Sequence, residues 1–260
     1  MRTAAKALVV AIVLVALAVG GYSVLKTRAA GGGTVQPSAT PSFSPTPSAG
    51  PSHPPVPRWQ VAKAVRAVGA RRRPSSSAPV VATFGVRNAN GYPSLFLVRR
   101  VREVGGTTWY DCWLPIRPNG SHGWIREGSV AIFTTSARIV IDLSARRLTV
   151  YRRGQPVGSF PVAIGTPQLP TPTGRFYVDQ KLRPAAPGGP YGVLAIGISA
   201  FQMKLAASAW AQGGPVAIHG TNQPELIGQA ISHGCVRMRN AAVLKVSAWV
   251  PSGSPVDIVP

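Results

Sequence analysis

The feature that most constrains this chain is the shortness of its apolar runs from residue 78 onward. PVVATF, SLFLVRRVRE, TTWYDCWLPI and HGWIREGSV are rich in β-branched and aromatic residues. Asn88-Ala89-Asn90-Gly91, Gly105-Gly106 and Pro118-Asn119-Gly120 separate them. Runs of this length between turn residues read as strands, because Gly, Asn and Pro supply the backbone angles that reverse a chain. Five such strands in about 57 residues predict a small barrel over 78–134. From Arg138 the pattern continues as strand, turn, strand, turn, strand in RIVIDLSARRLTVYRRGQPVGSFPVAIG. Strands are expected again in GRFYVDQKL after the Thr171-Pro172-Thr173-Gly174 turn, in GVLAIGIS, in PVAIHG and at Val256–Val259. A helix fits Asn240 to Trp249. The expected fold is mainly β, in two successive units.

The first 77 residues are organised differently. Residues 1–28 contain an uncharged stretch, Ala7 to Leu25, flanked by Arg2, Lys6, Lys26 and Arg28. As a helix it would span about 28 Å, the thickness of a hydrocarbon core. It is expected to be a transmembrane helix, a single-pass anchor in the cell membrane that leaves the rest of the chain extracellular; a cleaved signal peptide, giving a secreted protein, is the rival. Residues 29–57 are Gly, then Pro, Ser and Thr, a composition that builds no core and reads as a tether of at most about 100 Å. Within the linker region 29–77, residues 58–73 carry Arg58, Lys63, Arg66 and Arg71-Arg72-Arg73. They read as a short basic amphipathic helix or a solvated connector.

Charge excludes some functions. Lys and Arg number 28 against 7 Asp and Glu, a net charge of +21. That balance suits a polyanionic surface, but the basic residues are scattered apart from the one cluster, and export argues against nucleic acid as partner. Two cysteines cannot staple a disulfide-rich fold or fill a four-cysteine zinc site. Tyr110, Cys112 and Leu114 share one strand face, which makes Cys112 a buried, inert thiol.

The chemistry gathers between residues 219 and 240. This window holds two of the four histidines, His219 and His233, and the second cysteine, Cys235. A thiol acts as a nucleophile in its thiolate form, and a neighbouring imidazole takes the proton. Gly234 allows the backbone geometry that turns main-chain N–H groups toward a developing oxyanion. Arg237 adds positive field or holds a carboxylate. On residue types alone, a nucleophile, an open metal site of His219, His233 and Cys235, and a purely structural role all stay open.

The segments IHGTN and SHGCVRMRN, with twelve residues between His219 and Ser232, resemble the two-part signature of the YkuD-type L,D-transpeptidase catalytic domain. The strand pair and TPTG turn upstream resemble its opening, so the likeness covers 137–260. The run WYDCWLPIRPNGSHGWIREGSV is similar to the end of a bacterial SH3-like domain. Anchor, tether and small barrel together look like those of actinobacterial wall enzymes.

The resemblance implies peptidoglycan stem peptides as partners and 3→3 cross-linking through a Cys235 thioester on a tetrapeptide stem, with release of D-alanine. It implies His219 as general base, Ser232, His233 and Gly234 around the oxyanion, and Arg237, Gly220 and Thr221 toward the substrate. No metal and no cofactor are implied, and acylation by carbapenem-type inhibitors is. Where some relatives carry Ser after the first histidine this chain has Gly220, so a main-chain carbonyl must orient His219. Cys235 must stay free, which excludes a Cys112–Cys235 disulfide. A carboxypeptidase of the same fold and a non-catalytic cell-wall-binding protein are the alternatives.

Overall fold

The computed structural model describes residues 55–205 and 214–260. Seven strands form the first sheet: β1 Trp59–Ala64, β2 Val68–Arg71, β3 Val80–Phe84, β4 Leu95–Val104, β5 Thr107–Trp113, β6 His122–Arg126 and β7 Val130–Thr135. Their order is β3-β2-β6-β5-β4-β1-β7.

The sheet therefore begins at Trp59, and the expected basic helix or connector over 58–73 is corrected to two strands. The reason is tertiary. β1 lies between two partners remote in sequence, with Val61 opposite Leu97 on one side and Ala62 opposite Ile132 on the other. Ladder bonds on both edges outweigh a partial helical stripe, whose propensity is a fraction of a kcal/mol per residue. Cys112 is fully buried with Ala62, Phe96, Leu114 and Ile125 in the core of this sheet.

The second part is built on an eight-stranded sheet of order β10-β9-β8-β17-β12-β13-β14-β16. Its strands are β8 Ala137–Asp142, β9 Arg147–Arg152, β10 Gln155–Pro161, β12 Gly174–Leu182, β13 Ala195–Phe201, β14 Pro215–His219, β16 Val236–Arg237 and β17 Pro255–Val259. Two short strands, β11 Ile164–Gly165 and β15 Ala230–Ser232, pair in parallel beside it. The helix α1, Asn240–Trp249, buries Val243 and Val246 against the sheet. Ile139, Leu148, Val178, Ile196, Ile218 and Met238 complete one continuous core.

The two sheets meet through specific contacts. Tyr177 is fully buried among Val61, Leu95 and Leu97, and its hydroxyl donates to the Leu95 carbonyl at 2.8 Å. Gly253, at φ +89°, lets the backbone come so near Val61 that a Cβ there would sit 2.5 Å from a valine methyl. Asn119, in the β5–β6 loop, exchanges two bonds with the main chain of Phe201, each 2.8 Å.

The single-pass membrane location expected from the N-terminal stretch is corrected here. No helix among the described residues is long and apolar enough to cross a membrane. The ten-residue α1 is about 15 Å long, half a hydrocarbon core. Residues 7–25, on which that expectation rested, lie outside the described residues, as does the tether through residue 54.

Candidate active site

Two parallel strands carry the site. β14 and β16 lie side by side with His219 directly opposite Arg237, and Cys235 immediately precedes β16. The approach to Cys235 is a tight turn. Gly234 sits at φ +116°, a region that L side chains rarely enter. Its N–H donates to the Ser232 hydroxyl at 3.0 Å, and that hydroxyl donates to the Cys235 carbonyl at 2.5 Å. Downstream, Arg237 exchanges main-chain bonds of 2.8 and 3.0 Å with Ala163. The cysteine is therefore held on both sides by main-chain geometry, as a residue that must present one atom to a reactant needs to be.

His219 is buried, with 3% of its surface exposed. Its Nδ1 lies 2.6 Å from the Gly220 carbonyl oxygen. A carbonyl only accepts, so Nδ1 carries the proton and Nε2 is left as an acceptor. Tyr191 covers the ring, with centroids 4.9 Å apart and planes at 55°. Burial pushes the imidazole pKa down to about 4 and the Arg237 charge acts the same way, while the Gly220 bond opposes them. Cys235 is half-buried. Burial pushes its thiol above the usual value, against a main-chain bond from Ala217 and the Arg237 charge. Both groups are thus neutral at rest, and neither carries the charge of a preformed ion pair.

His219, Ser232, His233, Cys235 and Arg237 line one cavity of about 590 Å³, together with Tyr191 and Arg183. The Nε of Arg237 is buried without a hydrogen-bond partner among the described residues. Gly220 and Thr221 do not line this cavity. Thr221 is buried, and its N–H donates to Asn240 Oδ1 at 3.1 Å; Asn240 also receives the Val193 N–H at 3.3 Å. A side chain at Gly220 would run into the Asn240 amide. Gly220 therefore holds the imidazole through its carbonyl, and Thr221 is tied to Asn240.

Both cysteines are free, with Cys112 in the core of the other sheet. No group of three His, Cys, Asp or Glu side chains among the described residues could hold a metal ion. The sequence reading missed Tyr191, which only the return of the chain after β12 places on His219. It also missed Asn240's part in holding two loops together, because a helix-starting Asn reads as a local cap.

The cavity thus brings together a thiol, a neutral imidazole and an arginine whose Nε has no partner among the described residues, groups of the kind that acyl transfer through a cysteine requires. Residues 136–258 match the YkuD family model, described as the L,D-transpeptidase catalytic domain. A putative L,D-transpeptidase YkuD of Bacillus licheniformis is 37% identical over 127 residues, 49% of this chain and 68% of that protein. The corresponding putative enzyme of Bacillus subtilis is 34% identical over 126 residues, 48% of this chain and 68% of that protein. A solved L,D-transpeptidase 3 from Mycobacterium tuberculosis, in complex with a faropenem-derived adduct, is 17% identical with a TM-score of 0.42. That match covers 65% of this chain and 74% of the solved one. The chain belongs to the YkuD family of L,D-transpeptidases.

Proposed function

We propose that this protein forms 3→3 cross-links in peptidoglycan, with Cys235 as nucleophile and His219 as general base. The observation that carries this reading is the His219 imidazole, held by Gly220 in the tautomer that leaves Nε2 free and kept neutral by its burial. A neutral base beside a neutral thiol removes the proton as the sulfur attacks, so the charge appears only with the bond.

Cys235 Sγ attacks the carbonyl between the third and fourth residues of a tetrapeptide stem, and the thiol proton passes to His219 Nε2. The tetrahedral intermediate collapses, the C–N bond breaks and the imidazolium returns its proton to the departing D-alanine. A side-chain amine of a neighbouring stem attacks the thioester, loses a proton to His219 and frees the thiol. His233, Gly234 and Ser232 shape the wall where the oxyanion develops. Arg237, which lines the cavity, supplies the positive charge that a stem carboxylate meets. The small N-terminal sheet is read as SH3-like. Carbapenem-type inhibitors acylate the same thiol by opening their strained ring.

Intact-protein mass spectrometry of the full chain with a carbapenem, beside Cys235→Ala, tests the nucleophile. One adduct per chain, absent from the variant, is expected; no adduct on a reduced Cys235 would overturn the reading. Purified tetrapeptide stems then separate the outcomes: cross-linked dimers are expected, whereas trimmed tripeptides alone would mean that water is the acceptor.

A further inference from the structure

We infer that Gln202, held by the β5–β6 loop of the N-terminal sheet, is a positioning residue for the Cys235 turn. This rests on Cys235 being the reacting thiol. The observation is a chain of short contacts that begins outside the catalytic sheet. Asn119 clamps Phe201 by donating to its carbonyl and accepting from its N–H, each at 2.8 Å. Arg117 donates through Nη2 to the carbonyls of Gln202 and Leu205, at 3.0 and 2.8 Å. The main chain of 201–205 is thereby fixed by side chains of the other sheet, a register that β13 alone does not dictate beyond its last residue.

Gln202 turns that fixed main chain toward the site. It is buried, and its Nε2 donates to the Pro170 carbonyl at 2.7 Å and reaches the His233 carbonyl at 3.4 Å. Its Oε1 accepts the Lys204 N–H at 3.0 Å, so the amide cannot rotate without losing bonds at both ends. The peptide between His233 and Gly234 is consequently held from two directions: Gln202 meets its carbonyl, and the Ser232 hydroxyl takes its N–H. Gly234 closes the packing, since a Cβ there would lie 2.6 Å from Gln202 Nε2. The next peptide leads directly into Cys235. Displacing a reacting group by about 1 Å costs on the order of 100-fold in rate, so a peptide pinned this way sets the rate; Gln202 also lines the cavity, and Asn119, which does not, is the position that isolates this effect.

The test compares four full-length proteins: wild type, Asn119→Ala, Gln202→Met and Tyr177→Phe. Tyr177→Phe removes a different bond between the sheets, Tyr177 to Leu95, which shares no partner with the Cys235 turn. Two rates are read on each: carbapenem acylation over a range of concentrations, and alkylation of Cys235 by iodoacetamide at pH 7. The expected result is a fall of about ten-fold or more in the limiting acylation rate for Asn119→Ala and Gln202→Met. The half-saturating concentration of Asn119→Ala stays at the wild-type value, and Tyr177→Phe keeps the wild-type rate despite a lower melting temperature. Equal rates in all four proteins overturn the inference. So does equal slowing in Tyr177→Phe, which would mean a general loosening between the sheets. If Gln202→Met does not fold, Asn119→Ala decides, its side chain lying on a half-exposed loop. If wild type takes no carbapenem, the transpeptidase reading falls, and the iodoacetamide rates still decide the positioning role.

Discussion

His219 and Arg237 stand directly opposite one another on the parallel strands β14 and β16. A guanidinium that cannot lose its charge therefore faces a buried imidazole, and it opposes protonation of that ring. The same arginine keeps its Nε unpaired at the cavity wall. One side chain thus adds to the burial that keeps the imidazole neutral and holds a buried Nε without a partner among the described residues.

The pH dependence of acylation follows from this pair. With its pKa lowered from 6.5 to about 4, His219 stays neutral from pH 5 to 8. The acylation rate is expected to persist as pH falls through 6, and to drop only near pH 4. Arg237→Gln removes only the smaller, charge part of the shift, so the acid limb moves up slightly while burial still holds it well below 6.5, and KM for a carboxylate-bearing stem rises about ten-fold. A pH–rate profile of both proteins checks this; a wild-type inflection near 6.5 would contradict it.

Ser232 acts through two bonds that close the turn, one from the Gly234 N–H and one to the Cys235 carbonyl. Ser232→Ala leaves both main-chain groups without that partner in a buried place. The expected loss is about 1–3 kcal/mol in denaturant unfolding, with slower acylation of a thiol still present in full by titration.

Gly234→Ala combines a backbone penalty with a collision. At φ +116° the alanine is strained, and its methyl would press on the pinned amide of Gln202. A destabilisation of roughly 1–3 kcal/mol is expected, together with near-complete loss of carbapenem acylation. Pairing it with Gln202→Ala opens the space, so the double variant should recover part of the lost stability, measurable as a non-additive double-mutant cycle.

Asp179 predicts an unusual slope of stability with pH. It is half-buried at the seam of the sheets, its buried Oδ1 lacks a partner among the described residues, and desolvation pushes its carboxyl up from 3.8 to about 7. A carboxyl raised in the folded state binds a proton more tightly there than in the unfolded chain. Its contribution is fully present below pH 3.8 and is lost as pH rises through about 7. Asp179→Asn should therefore gain on wild type as pH rises from 4 to 8, by on the order of a few kcal/mol. His219 slopes the other way, losing stability as pH falls from 6.5 toward 4. Denaturant unfolding of both proteins at pH 4, 6 and 8 reads the difference; a constant gap would show that Asp179 ionises normally.

Much of this architecture was legible in the sequence because it is local. The helix Asn240–Trp249 and the strands β8, β9 and β10 fall where periodicity and turn residues put them, since neighbouring strands joined by tight turns need no distant partner. Residues 59–71 were misread for the opposite reason. Their strand identity comes from Leu97 and Ile132, some 35 and 70 residues away.

At the site, residue types and spacing in the sequence by itself determined which side chains are present: a thiol after Gly234, an imidazole before Gly220 and an arginine two residues beyond the thiol. The tertiary structure alone decided the surroundings of each one. Pairing β14 with β16 puts Arg237 against His219, burial makes the imidazole and thiol neutral, and Gly220 and Thr221 turn inward to Asn240 rather than to the cavity. Asn119, Arg117 and Gln202 carry no motif, and their convergence on the Cys235 turn exists only once two sheets have packed. The physical reason is that desolvation and fixed hydrogen bonds belong to positions in space, where residues remote along the chain become neighbours.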